Sequence, residues 1–322
     1  MFRLIKIELT KILYGKSLWF SIVCALAIIV GFGILLNMDD VFDNPGEKQT
    51  ALEEKYENSS DWKEQLRVQM ELNQSMSDIY SQQEINMKNE ILQYEINENL
   101  EPYKHNTAWD FIAYTFQILN IVLIIIAIWL TTGIIMSEYV NKTYKLVYTK
   151  MYERWKIYVS KYIASIVIIV FIAVMMMVMA CVVGGVIFGL DGISSKTAIC
   201  LYGKMMTVSL GGKAMLYMFF AIVKAIAVSA ISFLIAELSK NQVVTVIVAI
   251  VCSLWGKMLF KNLVEHGITV GKYSLFMHYD FVNFIDTPVM KNETVIISSV
   301  VIAAHIALFL VAGIWLNKRE DL

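Results

Sequence analysis

The sequence has 322 residues, of which 57% are hydrophobic and 17% are charged, with a mean hydropathy of +0.59. Soluble globular proteins are about 45–50% apolar and about 25% charged, so the composition argues against a soluble domain and indicates a membrane protein. The formal net charge of −1 conceals acidic and basic segments that are well separated along the chain. We expect membrane lipids as neighbours and no nucleic acid as a partner.

Residues 1–16 place apolar side chains on one helical face and basic side chains around the rest. The pattern predicts an amphipathic helix that lies in the cytoplasmic membrane interface. A signal peptide is the alternative, but no small-residue cleavage site follows the next apolar run. We therefore expect the helix to remain in the mature protein.

Six apolar stretches are long enough to cross a hydrocarbon core of about 30 Å as helices. The prediction is thus an all-α membrane protein with six transmembrane helices. The predicted spans are residues 17–36, 110–136, 162–190, 213–236, 242–260 and 294–316.

The segment 37–107 contains 16 acidic and 6 basic residues. Its apolar residues recur at helical spacing in two blocks, which predicts two helices outside the membrane. We expect an extracellular helical insertion between the first two spans, either a solvated decoration or a lid that gates substrate exit. Residues 191–212 are predicted as an extracellular connector, and the aromatic segment 261–293 as extracellular or re-entrant.

The segment 137–161, between the second and third spans, is rich in lysine, arginine and tyrosine. Short basic loops stay in the cytoplasm, so this loop orients the chain with both termini, including the tail 317–322, in the cytoplasm. The acidic insertion then lies outside. The expected location is a bacterial plasma membrane.

Four polar residues within the predicted spans are candidates for the translocation path or for a dimer seam: Gln117, Asn120, Lys224 and His305. A lone cation at the bilayer centre is costly, so Lys224 should face a cavity, a partner helix or a second subunit. Lys224 could contact an anionic or polar part of a substrate, or be a structural cation bonded to carbonyls, Gln117 or Asn120. His305 could be structural or sensitive to pH.

Sequence motifs for catalysis are missing. There is no P-loop, no metalloprotease motif, no nucleophile elbow and no dinucleotide fingerprint. The four cysteines are scattered and suggest neither disulfides nor a metal site. We therefore expect no catalytic residue, no metal and no cofactor bound by this chain, and no enzyme activity of its own.

The loop nevertheless carries a recognisable pattern. In order and spacing, it resembles the permease subunits of ABC transporters of the ABC-2 type through Glu138, Thr143, Leu146, Val147, Arg154 and Lys161. Two departures concern the turn geometry, because Lys142 stands where glycine is usual and Met151 where proline is usual. The ending from Trp315 to Asp321 also looks like that of the family. The specific motif covers about 25 residues, whereas the likeness in layout extends over the whole chain.

The resemblance implies a coupling helix in this loop that docks on a nucleotide-binding subunit. The residues it assigns to coupling are Glu138, Thr143, Lys145, Tyr148, Arg154 and Lys161. It also implies two copies of a separate ATPase subunit, which would hold ATP and Mg²⁺, and a second permease subunit, identical or not. The alternative for the loop cations is that they set topology and meet anionic lipid.

The expected function is that of a permease which forms half of the path of an ATP-driven exporter. The favoured substrate is an amphipathic, antimicrobial or toxin peptide, for secretion or self-immunity, and the next is a lipid-like drug or antibiotic. The rivals from other classes are a secondary transporter that needs no ATPase and a membrane sensor that uses residues 37–107. Secondary transporters usually have internal repeats and several charged or broken spans, which the sequence does not reveal.

Overall fold

The structure is a computed structural model that describes residues 1–37, 61–76, 81–103, 107–143, 153–286 and 294–319. Within these ranges the chain is mostly helical. The long helices are α1 (Phe2–Leu13), α2 (Lys16–Asn37), α3 (Trp62–Ser75), α4 (Gln82–Asn97), α5 (Ala108–Ile118), α6 (Asn120–Val140), α7 (Arg154–Ile187), α8 (Leu210–Ser239), α9 (Gln242–Glu265) and α11 (Val295–Arg319). The remaining elements are strands β1 (Lys196–Leu201) and β2 (Lys204–Ser209), the 3₁₀ turns Thr269–Tyr273 and Phe281–Phe284, and the one-turn helix α10 (Leu275–His278).

Six of these helices are long and apolar enough to cross a membrane: α2, α6, α7, α8, α9 and α11. The prediction of six apolar spanning helices is thereby confirmed in its coarse form, that of a mostly helical multi-pass membrane protein. Two helices, α7 and α8, have 34 and 30 residues. At about 1.5 Å per residue they exceed a hydrocarbon core of about 30 Å, so both extend beyond it.

Helix α8 is the centre of the bundle and packs against α5, α6, α7, α9 and α11. Its buried face is rich in alanine and serine, including Ala221, Ala225 and Ser229. Small side chains let helix backbones approach closely, which is how helices associate where water does not drive them together. The helices at the rim, α9 and α11, bury few of their residues inside the bundle.

Polar contacts define two ends of the bundle. At the loop end, where α6 finishes and α7 begins, Lys11 of α1 lies near Glu138, and the carbonyl of Asn317 in α11 accepts from Arg154 of α7. At the hairpin end, the backbone N–H of Ala108 donates to the carbonyl of Gly189. Consecutive long helices therefore run between the two ends in alternating directions.

The region predicted as the second span is not one helix. It is divided at Leu119 into α5 and α6, and the amide of Asn120 donates to the carbonyl of Gln117. A side chain that captures a helix carbonyl competes with the ladder of backbone hydrogen bonds and kinks the helix. The kink places Asn120 at the interior of the bundle.

The region predicted as a plain connector contains a β-hairpin. Strands β1 and β2 pair antiparallel, and the two turn residues Tyr202 and Gly203 both have positive φ. Two consecutive left-handed residues match the twist of the strands, as in a type I′ turn. The hairpin packs against α4, where Glu95 accepts from the backbone N–H of Ala198 at 2.9 Å.

The acidic insertion has helices α3 and α4 in its described part. Each begins with a polar cap: Asp61 accepts from the N–H of Lys63, and Ser81 forms a capping box with Glu84. Hydrogen bonds from the hydroxyl and backbone N–H of Ser81 hold the pKa of Glu84 below its usual value. The helices contact each other through Asn73 and Asn89.

Candidate functional site

In the described part of the helix bundle, two clusters contain an ion pair whose side chains are both at most 10% exposed. The first, the loop-end cluster, joins α1, α6 and α7 and consists of Glu8, Lys11, Glu138 and Lys161. The second, the core charge cluster, lies halfway along α8 and consists of Asn120, Lys224, Lys257 and Asp280. Both clusters join residues that are far apart in sequence, so tertiary packing brings these residues together.

The loop-end cluster is organised by an ion pair. The ammonium of Lys161 lies 2.7 Å from one carboxylate oxygen of Glu138, and both side chains are less than 5% exposed. The other oxygen of Glu138 lies 3.8 Å from the ammonium of Lys11, which also binds Glu8 at 2.9 Å. Burying each charge costs desolvation free energy, which the attraction between the two charges offsets. Removing one partner therefore leaves an uncompensated buried charge and destabilises the protein.

The pair clamps the two helices that border the basic loop. Glu138 lies in the last turn of α6, and Lys161 lies two turns into α7. The carbonyl of Glu138 also accepts from the N–H of Thr143, and Lys142, the residue directly before Thr143, adopts a positive φ of 57°. The chain therefore leaves α6 by a left-handed turn without the glycine that normally favours one.

Beside this cluster, a further polar group holds the other helix ends at the loop end. The carboxylate of Glu237 accepts from the ammonium of Lys240 and, at 3.2 Å, from the amide of Asn317. Lys240 also donates to the hydroxyl of Tyr139 at 2.6 Å. Three helices, α6, α8 and α11, are thus tied at this end by charge-assisted hydrogen bonds, which are stronger than neutral ones.

Of the six residues that the resemblance assigns to coupling, the structure describes four. Glu138 and Lys161 are brought together, Thr143 begins the loop, and Arg154 begins α7 with its guanidinium 3.4 Å from the carbonyl of Asn317. Lys145 and Tyr148 lie outside the described residues. The prediction of a loop through residue 161 differs from the structure, in which α7 starts at Arg154 and includes Lys161.

At the first residues of α7 the charges are exposed. Glu153 lies 3.3 Å from the ammonium of Lys156. Hydrogen bonds from the indole of Trp155 and from Lys156 hold the pKa of Glu153 below its usual value. This short stretch therefore presents a carboxylate and cations to solvent at the border of the loop.

The core charge cluster contains two of the four predicted path residues. Lys224 donates to Asn120 at 3.2 Å and to Asp280 at 2.6 Å, and its ammonium lies 5.4 Å from the centre of the Tyr279 ring. Lys257 lies 3.5 Å from the second carboxylate oxygen of Asp280. Lys224 is therefore partnered inside its own chain, as the structural alternative for it requires.

The other two path candidates lie elsewhere in the arrangement. Gln117 contributes its backbone carbonyl to the amide of Asn120. His305 in α11 bonds the carbonyl of Val301 in its own helix at 2.8 Å and stacks edge-on against Phe309. The structure therefore brings Asn120 and Lys224 together and leaves His305 apart from them.

Residues 76–322, which run from just before α4 to the last residue, match the family described as "Protein of unknown function (DUF2705)". The chain belongs to the DUF2705 family. The matched residues include the whole core charge cluster and the Glu138–Lys161 pair, whereas Glu8 and Lys11 precede them.

A relative in Bacillus subtilis (strain 168), the uncharacterized protein YhcI, is 23% identical over 329 residues, which cover 100% of this chain and 99% of the relative. The likeness therefore extends beyond the DUF2705 match to the first three helices. It carries no description of an activity or a substrate.

Sequence reasoning missed two members of the core charge cluster, Lys257 and Asp280. Lys257 lies near the end of the predicted span 242–260. Asp280 is the one acid in the aromatic stretch 273–284. An acid in a segment predicted to dip into the membrane is the signal that could have paired it with Lys224. No group of three or more metal-ligating side chains occurs among the described residues.

Proposed function

We propose that this DUF2705 protein is the membrane-spanning permease subunit of an ATP-driven exporter of the ABC-2 type. In this proposal it forms half of the translocation path beside a second permease subunit. Two separate nucleotide-binding subunits supply ATP hydrolysis, with ATP and Mg²⁺ bound in them. The chain itself performs no chemistry.

The observation that carries the proposal is the buried Glu138–Lys161 pair. An ATPase subunit that binds the loop can change the conformation of a permease only if the loop is rigidly attached to the transmembrane helices. Movement of the loop is then transmitted to those helices. The pair fastens α6 to α7 directly behind the loop at 2.7 Å, and Lys11 links α1 to the same carboxylate. These contacts allow α1, α6 and α7 to move together as one rigid unit, as coupling to ATP hydrolysis requires.

The proposed orientation has the loop end in the cytoplasm and the hairpin end, with residues 37–107, outside. The positive-inside rule supports it, because the segment 137–161 is basic and the insertion is acidic. In the same orientation α1 lies along the cytoplasmic interface as an elbow helix. Its exposed Phe2, Ile7 and Tyr14 suit an interfacial position.

For the substrate we favour an amphipathic or antimicrobial peptide or toxin, with a lipid-like drug or antibiotic next. A long apolar bundle with an acidic insertion at the exit side fits a cationic amphiphile. The insertion packs on the hairpin through Glu95. It is therefore attached near the place where a substrate would leave.

The test is purification of the tagged chain from its native membranes in mild detergent, with an ATPase assay on the eluate. We expect a co-purifying P-loop subunit and ATP hydrolysis. Lys156→Glu reverses an exposed charge beside the loop without breaking a buried contact and should lower the co-purified ATPase several-fold. Lys204→Glu, at an exposed hairpin position on the other end, is the matched control and should leave the ATPase unchanged.

Lys156 is a better test than Arg154, because Arg154 holds Asn317 and its loss could act through folding. Full ATPase recovery with Lys156→Glu and Arg154→Glu, both still folded, would refute the docking assignment. An eluate free of ATPase in several detergents would refute the permease proposal.

A second candidate function is favoured by one observation. The core charge cluster places two lysines and an aspartate at mid-bundle, next to a kinked helix, and such groups mark ion-coupled secondary transporters. Uptake or efflux in purified vesicles driven by an ion gradient alone would favour this candidate. A strict requirement for ATP would exclude it.

A further inference from the structure

The backbone around the core charge cluster is irregular at a depth where irregular backbone is rare. Asp280 contacts Lys224 halfway along the 30-residue α8, so the segment 266–286 dips into the bundle. The helix break at Leu119 presents Asn120 to the same lysine. Non-helical backbone at membrane depth is tolerated where it is buried in protein or lines a polar cavity.

The charges in the cluster do not balance. The described side chains supply two ammonium groups, of Lys224 and Lys257, and one carboxylate, of Asp280. Lys224 is well satisfied, because Asp280, Asn120 and the ring of Tyr279 surround it. The surplus positive charge therefore resides on Lys257.

Lys257 is also the accessible member of the cluster. Its side chain is 38% exposed, against 10% for Lys224 and 6% for Asp280. It holds Asp280 only at 3.5 Å, a long contact for an ammonium and a carboxylate. An anion arriving from outside could therefore bind Lys257 without dismantling the Lys224–Asp280 pair.

The surface around Lys257 is apolar. Leu254 lies one turn away on the same face of α9 and is 45% exposed, and Met258 next to it is also exposed. Lys257 itself lies 5.6 Å from the centre of the Phe284 ring. A cation at the edge of an exposed apolar helix face suits a ligand with an anionic head and an alkyl chain.

We propose that Lys257, backed by Lys224 and Asp280, is a binding site for the oxyanion head, phosphate or carboxylate, of an alkyl-chain amphiphile. The head binds the ammonium of Lys257, and the chain lies along α9 over Leu254 and Met258. Asp280 competes internally for Lys257 and is partly displaced when the anion binds. The site goes beyond the proposed function and does not rest on it, because the cationic peptide favoured there as the substrate would be repelled by the ammonium of Lys257.

The experiment uses the purified full chain in phosphatidylcholine nanodiscs, without any ATPase subunit. Binding of dodecyl phosphate is measured by calorimetry, with dodecyl maltoside as the uncharged probe and inorganic phosphate as the free anion. Failure here rejects the anion site, whereas failure of the ATPase co-purification rejects the permease proposal, so the two are distinguishable.

Lys257→Gln should weaken dodecyl phosphate binding by about tenfold or more, since a hydrogen bond to a charged group is lost. Lys261→Gln, one turn further along α9 and exposed, is the matched control and should bind as the wild type does. Asp280→Asn removes the internal competitor and should tighten binding several-fold.

If phosphatidic acid in the nanodisc competes with dodecyl phosphate, the natural ligand is a lipid headgroup. If it does not compete, the natural ligand is a single-chain solute. Either result supports the anion site. Binding of inorganic phosphate as tight as that of dodecyl phosphate would overturn the amphiphile site, because the alkyl chain would then contribute nothing. Equal binding by Lys257→Gln and wild type, equal binding of dodecyl maltoside, or no binding of any anion would overturn it. Weakened binding in an Asp280→Asn variant that keeps the wild-type thermal midpoint would also overturn it.

Discussion

At the scale of single residues, burial decides what a charge can do. Lys161 and Lys257 both lie in long apolar helices, yet Lys161 is almost fully enclosed with Glu138, and Lys257 keeps more than a third of its side chain exposed. The enclosed pair fastens the two helices, because Glu138 and Lys161 are both shielded from solvent and lie 2.7 Å apart. The exposed lysine remains able to bind something else.

The fastening can be tested by removing one charge at a time. Glu138→Gln leaves the ammonium of Lys161 buried and unpaired, and we expect a loss of about 3–5 kcal/mol in the free energy of unfolding. The double variant Glu138→Leu/Lys161→Met replaces the pair by apolar groups and should recover most of that loss. The thermal midpoint of the purified protein in detergent measures both.

Lys156→Gln, which alters only an exposed charge in the same helix, is the control and should not shift the midpoint measurably. Equal midpoints for Glu138→Gln and wild type would show that the pair does not fasten the helices. A double variant less stable than both single variants would show that the charges stabilise beyond their mutual attraction.

At the scale of elements, the dipping segment 266–286 is held against α9 by a close aromatic contact. Gly256 has no side chain because the ring of Phe276 fills the space: a Cβ there would come within 2.3 Å of it. Phe276 in turn packs against Tyr279, whose hydroxyl donates to the carbonyl of Ser253 at 2.6 Å. The position of Asp280 thus depends on a glycine 24 residues earlier.

Gly256→Ala should therefore displace the segment and destabilise the protein by about 1–3 kcal/mol, as overpacking does. Phe276→Leu in the same chain makes room and should restore part of the loss. The thermal midpoint and the dodecyl phosphate affinity are the two measurements, because a displaced Asp280 also alters the anion site.

Gly31→Ala is the matched control, since nothing lies within 4 Å of a Cβ at this position in α2. It should be neutral or slightly stabilising, because alanine favours helix. If Gly256→Ala were as stable as Gly31→Ala, the segment would not be wedged against α9 in the way described.

At the scale of the whole molecule, alternating helix directions place the basic loop and the hairpin at opposite ends. The loop end joins α1, the border of the loop and the end of α11, whereas the hairpin end joins β1, β2, α4 and residues 281–286. Which end faces the cytoplasm is a prediction from charge. It can be measured directly.

Single cysteines introduced at Lys204 in the hairpin and at Asn141 beside the loop report the orientation. In intact cells a membrane-impermeant maleimide should label Lys204→Cys and should leave Asn141→Cys unlabelled until the membrane is opened. The reverse pattern would invert the topology, and equal labelling of both in intact cells would contradict a bundle with opposite ends.

The chain with its four native cysteines is the background control. Three of them lie in apolar helices, and burial raises the pKa of the Cys200 thiol in the hairpin, which keeps the reactive thiolate scarce. Labelling of the background should therefore be low on both sides of the membrane.

The sequence by itself determined the helices of this DUF2705 protein, because a long apolar run and an amphipathic repeat are local properties. Such runs predict the six spanning helices, the helix at residues 2–13 and the two helices of the acidic insertion. They also show that Lys224 is the lone charge within its apolar stretch of sequence. The sequence pattern did not predict the β-hairpin or the helix break at Leu119. Short strands, and side chains that bond to helix carbonyls, change the local hydropathy pattern very little.

Only the tertiary structure decided which charges meet. Lys224 finds Asp280 56 residues later, and Glu138 finds Lys161 23 residues later and Lys11 from the first helix. Hydropathy records how apolar each segment is, but it does not record which face of a helix turns toward which neighbour. Packing makes that choice, and with it decides that one lysine fastens two helices while another remains open to a ligand.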